Sequence, residues 1–172
     1  LIMLSKALNI NLDYFFRPFT VDIDPSKFEF RKKSSMGNKK VESIKYLVCS
    51  EIEKYQEIES ILNIATKFDL DYSNTLVEGE SEARLLALRL RKDFNIGSDA
   101  IVSVVDLLES KGIKIIEIDH DRTFSGTCNK ACGLPVIVVN KNMTSERKRL
   151  TIFHELGHLL LHCIDGVDKE KM

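Results

Sequence analysis

Apolar positions along the chain change their period from segment to segment, and the changes mark out elements. From Asn38 to about Asp69 neither glycine nor proline intervenes, and apolar residues recur at Val41, Ile44, Val48, Ile52, Tyr55, Ile58 and Leu62. That spacing predicts a long amphipathic helix, or two with a bend, whose charges at Glu51, Lys54 and Glu57 form a solvated face. After Gly79 a second stripe runs through Ala83, Leu86, Ala87 and Leu90 and stops near Gly97. A third runs through Ile101, Val104, Val105 and Leu108 to Gly112. Both read as helices with glycine stops. IKIIEI, residues 113–118, is β-branched at most positions and predicts a strand. GTCNKACGLPVIVVN, residues 126–140, places a turn around Gly133, Leu134 and Pro135 before the buried-strand run VIVV. Thr144 or Ser145 caps a last helix, with Glu146 set against its macrodipole. At the other end, LSKALNINLDYFFRP is a short helical stretch with an aromatic turn, closed by Pro18. Residues 19–35 alternate at Phe19, Val21, Ile23, Phe28 and Phe30 around Pro25, as two short strands or an extended linker. Helices before a small sheet and one helix after it make the class α+β.

Composition narrows the function classes. In 172 residues, 44% hydrophobic and 30% charged, there is enough apolar material for a core of ordinary soluble type. A net charge of -1 gives no global attraction to nucleic acid or to an anionic membrane. No apolar run approaches the roughly 18–20 residues of a membrane span, and no secretory signal opens the chain. The expectation is a cytoplasmic protein with no membrane partner. Four cysteines, Cys49, Cys128, Cys132 and Cys163, are too few for a disulfide framework. TCNKACG has the look of a zinc knuckle but lacks a second ligand pair, so it reads as hairpin.

The chemistry concentrates in TIFHELGHLLLH, residues 151–162. Four helical residues turn the chain by about 400°, which leaves His154 and His158 one turn apart on nearly the same face. Two imidazoles so placed suit Zn²⁺, and Glu155, about 100° around the cylinder, is set beside that face. Zinc lowers the pKa of a bound water toward about 7, and a carboxylate alongside can take its proton, which is the logic of H-E-x-x-H metalloproteases. Leu150, Phe153, Leu156, Gly157, Leu160 and Leu161 supply the apolar remainder of a buried helix, where histidines without partners would be costly. Gly157 suggests close approach or access on the metal side. His162 extends the motif, but in an unbroken helix it lies about 12 Å along the axis from His154 and cannot converge on the same ion. His120, in DHDR, reads as an exposed loop histidine. Asp165, Asp168 and Glu170 are the carboxylates left for a third ligand before Met172.

Several separate segments, EARLLALRLRKDF, LLESKGIKIIEID, GLPVIVVN and RLTIFHELGHLLLH, resemble in order and spacing the ImmA/IrrE family of metallopeptidases over roughly residues 80–163. The resemblance implies a zincin-like domain over 79–172, its active helix near the C-terminus, with His154 and His158 as zinc ligands and Glu155 as the catalytic base. It implies a gluzincin-type glutamate from a following helix, either Glu170 or a residue beyond Met172, so that zinc in this chain is expected to be weakly held or absent. The domain is expected to be truncated at that end. The opening resembles the last helices of an XRE-type helix-turn-helix domain, with 1–18 as its remnant and 19–78 as an extended linker plus the long helix. DNA would then be contacted by a longer protein and not by this fragment. The implied function is a zinc-dependent endopeptidase that cuts a regulatory protein such as a helix-turn-helix repressor, thereby controlling transcription. The alternative is a DNA-binding regulator whose peptidase-like domain is a non-catalytic sensor or partner-binding module. VIVVN, just before the active helix, is expected to offer an edge for an extended substrate.

Overall fold

The computed structural model describes residues 1–8, 11–16, 38–64, 67–68, 70, 72, 75, 77, 79–121, 123–131 and 134–161. Among them are five helices and a three-stranded sheet, an α+β arrangement: α1 (Ile2–Leu8), a 3-10 turn (Leu12–Phe16), α2 (Asn38–Leu62), α3 (Glu80–Asp93), α4 (Val104–Ser110), β1 (Lys114–Ile118), β2 (Gly126–Ala131), β3 (Leu134–Asn140) and α5 (Ser145–Leu161). No helix among the described residues is long and apolar enough to cross a membrane. The expected alternation between 19 and 35 lies outside the described residues.

The sheet order is β1-β3-β2, with β3 parallel to β1 and antiparallel to β2. β3 is therefore internal, and the expectation that VIVVN offers a free edge is overturned. The same placement explains its run of consecutive apolar residues. Helices cover both faces of the sheet, so successive side chains of β3 enter two different cores and neither set can be polar. Val136 and Val138, with Ile116 and Ile118 of β1, meet Ile44, Val48, Cys49 and Ile52 of α2. Ile137, Val139 and Ile115 pack on the other side among Leu108, Ile152, Leu156, Leu159 and Leu160 of α4 and α5.

β1 obeys the same division. Lys114, on the α2 face, is buried, reaches Glu59 with its ammonium and lies over the Tyr55 ring. Glu117, on the α5 face, accepts from Lys148 Nζ at 2.8 and 2.9 Å, tying β1 to the first turn of α5.

The long stripe of α2 is only partly used. Val41, Ile44, Val48, Cys49 and Ile52 are buried, whereas Ile58 and Leu62 are exposed, because the helix outruns the short sheet beneath it. α3 carries Glu80 and Glu82 in its first turn and Arg91 and Lys92 in its last, in the sense its macrodipole favours. Its C-cap, Phe94, enters the core. α4 starts at Val104, capped by Ser103, whose hydroxyl accepts from Asp106 N at 3.2 Å. Ile101 thus precedes the helix. α4 ends in a Schellman turn: Gly112 N donates to Glu109 O and Ile113 N to Leu108 O, with Gly112 at φ +85. A Cβ there would lie 3.0 Å from the carbonyl carbon of Lys67, so glycine is required by space as well as by conformation.

The loop between β1 and β2 is fastened to the end of β3. The buried carboxamide of Asn140 donates to the carbonyls of His120, Asp121 and Phe124 at 3.0, 2.9 and 3.0 Å, and its oxygen accepts from Asn142 N at 3.0 Å. Asn142 in turn donates to Asp119 and to the His120 carbonyl. These contacts fix where β3 ends and where α5 begins.

Candidate functional site

α5 starts where Thr144 Oγ1 accepts from Arg147 N at 3.4 Å, the cap expected of Thr144 or Ser145. The Glu146 carboxyl is held below the usual carboxylate range by hydrogen bonds from its own backbone N–H and from Thr144. Ile152, Leu156, Leu159 and Leu160 seat the helix on the sheet. Leu150 does not belong to that face: it is 72% exposed, and Phe153, Gly157 and Leu161 are half-buried. The apolar run is thus wider than the stripe the sheet covers, and Leu150 falls on the outer flank.

His154 is exposed and His158 half-buried, on the side of α5 turned away from that core. Their Nε2 atoms are 3.0 Å apart, with the rings 85° from coplanar. Two imidazole nitrogens that close must share a proton or a cation. Tetrahedral Zn²⁺ bound by nitrogens at about 2.0–2.1 Å holds them roughly 3.3 Å apart. The pair therefore has the chemistry and nearly the spacing of two ligands of one ion, and these two nitrogens fit such a role. Among the described residues no group of three or more His, Cys, Asp or Glu side chains is placed to hold a metal. The candidates named for a third position, Asp165, Asp168 and Glu170, lie outside the described residues, as does His162.

Glu155 follows His154 around the helix and is only 7% exposed. It is turned toward β2, where the site includes a residue that the sequence pattern did not single out. A Cβ built on Gly126 would lie 2.6 Å from Thr151 Cγ2, 3.0 Å from the Val138 carbonyl oxygen and 3.5 Å from Glu155 Cγ. Gly126, at the first position of β2, is the glycine that admits close approach. Gly157 has the opposite setting: nothing among the described residues lies within 4 Å of the corresponding point, so it gives open space on the histidine side. The signal for Gly126 was a glycine at the mouth of a strand, which composition alone cannot separate from a turn residue.

His120 stays apart from the pair. Its ring meets Phe124 edge to face, its Nδ1 is 3.2 Å from Asp121 Oδ1, and Phe124 belongs to the core between sheet and α2. It is half-buried rather than exposed as the loop reading had it, because the Asn140 contacts fold the loop back. Cys49 is buried on α2 and Cys128 half-buried on β2, neither of them in a disulfide. Cys132 and Cys163 lie outside the described residues.

The class defined by fold and site is an α+β domain that presents an HExxH helix on a small sheet. A family model described as the IrrE N-terminal-like domain, Peptidase_M78, matches residues 108–166, from α4 through the motif helix. That match supports the ImmA/IrrE family and a metallopeptidase-like domain over this stretch. No curated protein and no solved structure matches the chain.

Proposed function

We propose that this chain carries the catalytic helix of a zincin-like, zinc-dependent endopeptidase, and that its substrate is a regulatory protein such as a helix-turn-helix repressor. The observation that carries the reading is the convergence of His154 and His158 Nε2 at 3.0 Å beside a buried Glu155. The Peptidase_M78 match supports the same reaction class.

His154 and His158 would hold the metal through Nε2, joined by a ligand outside the described residues. When bound, zinc would polarise the scissile carbonyl and acidify water at the site. Glu155 would take a proton at its carboxylate and return it to the leaving amine. Its burial, at 7% exposure, with the stem against β2, would limit the rotamers open to the carboxylate. β2 is at the edge of the described sheet on the Glu155 side, and an extended substrate segment added there would run beside the carboxylate.

Metal analysis of the full-length protein, combined with cleavage of a co-expressed repressor, tests the reading. One zinc per chain is expected, together with cleavage that falls by at least about 100-fold in Glu155→Gln while zinc is retained. A protein that binds repressor or promoter and cuts nothing would instead be the regulator with a non-catalytic sensor module.

A further inference from the structure

We infer that Gly126 is a positioning residue for Glu155: the missing side chain at the first position of β2 sets how closely α5 lies on the strand, and so where Glu155 stands relative to β2 and to a substrate segment paired along it. The inference rests on the endopeptidase reading for its consequence, but its geometry stands independently.

Gly126 pairs with Val139 of β3, and its absent Cβ is directed at α5. Three groups close that space. Thr151 Cγ2 would be at 2.6 Å, a separation that requires movement, and β-branched threonine within a helix is stiff at χ1. The Val138 carbonyl oxygen would be at 3.0 Å and belongs to the central strand, whose backbone is held on both sides. Glu155 Cγ would be at 3.5 Å, so the stem of the glutamate rests directly over the gap. Thr151 and Glu155 are one turn apart on the flank of α5 that faces β2. A methyl at Gly126 would clash with Thr151 and press on the Val138 carbonyl while touching the Glu155 stem only at ordinary contact distance, and the relief we infer is a lift of that flank of the helix, which carries Glu155 with it.

His154 and His158 would keep their mutual geometry. Both ride on α5 and their mutual spacing is set within the helix, so lifting the flank moves them together and preserves the 3.0 Å approach. Glu155 changes its place relative to the strand, along with the space into which a substrate carbonyl must fit. Gly126→Ala is therefore expected to separate metal binding from turnover.

The test uses the full-length protein as wild type, Gly126→Ala, Thr151→Ser and the double variant. The direct readout is the NOE between Gly126 Hα and Glu155 Hγ without metal, with the methyl introduced by Gly126→Ala as its counterpart in the variant. Gly126→Ala should change the cross-peaks between position 126 and both Thr151 and Glu155. Zinc affinity, by competition with a chromophoric chelator, should stay within about threefold, while kcat on a repressor cut by the wild type falls by about 100-fold at unchanged KM. Thr151→Ser removes the nearest clashing methyl and should restore most of kcat in the double variant. Unaltered Glu155 cross-peaks in Gly126→Ala, zinc affinity lost in step with rate, or no recovery in the double variant would overturn the inference. A wild type that cuts nothing would defeat the endopeptidase reading, while the NOE still decides whether Gly126 positions Glu155.

Discussion

At the scale of single residues, the groups that matter most are polar ones held in buried surroundings. Asn140 is 2% exposed and satisfies three backbone carbonyls with one amide, so Asn140→Ala strands those acceptors. A loss of about 2–4 kcal/mol is expected in urea unfolding. Asn140→Asp should also be destabilising, because a carboxylate oxygen would replace the donor among carbonyl oxygens. Tyr72 makes a different prediction. Burial first, then its hydrogen bond to Asp93, pushes its phenol from 10.0 up to about 12. The folded state therefore holds the proton more tightly than the unfolded chain. Its contribution to stability is complete below pH 10 and is lost as pH rises toward 12. Tyr72→Phe should flatten that part of the stability curve. Tyr55, raised in the same direction by burial and by Glu109, keeps the rest. Neither Asn140 nor Tyr72 was legible as important in the sequence, since each owes its role to partners 16 to 21 positions away.

At the scale of elements, local period and capping led to several of the elements observed. The stripe through α2, the stop at Gly112 and the run VIVV each led to the element observed, because local spacing and capping determine them. Register and edge position did not follow, since a run buried on both faces reads the same in the middle of a sheet as anywhere else. Ile137, fully enclosed between β3 and the α4 and α5 side chains, tests the double-sided burial: Ile137→Ala should cost about 2–5 kcal/mol, and Ile137→Val about 0.5–1.5. Gly112→Ala should cost at least about 1–2 kcal/mol. It meets both the positive φ and the Lys67 backbone, whereas a glycine at positive φ with open space would lose only the first. Differential scanning calorimetry of the three variants would separate these terms.

For the whole molecule, metal should couple to stability. If the His154 and His158 pair is completed by a further ligand, zinc at a hundred times its Kd should stabilise the folded state by about 2.7 kcal/mol, seen as a rise in Tm that a chelator reverses. His158→Ala should abolish that rise, and Glu155→Gln should leave it in place. The sequence by itself determined the α+β class, the helical presentation of HExxH and the convergence of the two histidines, because a four-residue spacing on a 3.6-residue helix is a local fact. Only the tertiary structure decided that β3 is central, that Gly126 rather than Gly157 is the point of close approach, that Leu150 faces outward and that Asn140 clamps the loop ahead of α5. Each of these depends on which face of one element meets which face of another, and periodicity within a single element carries no information about that.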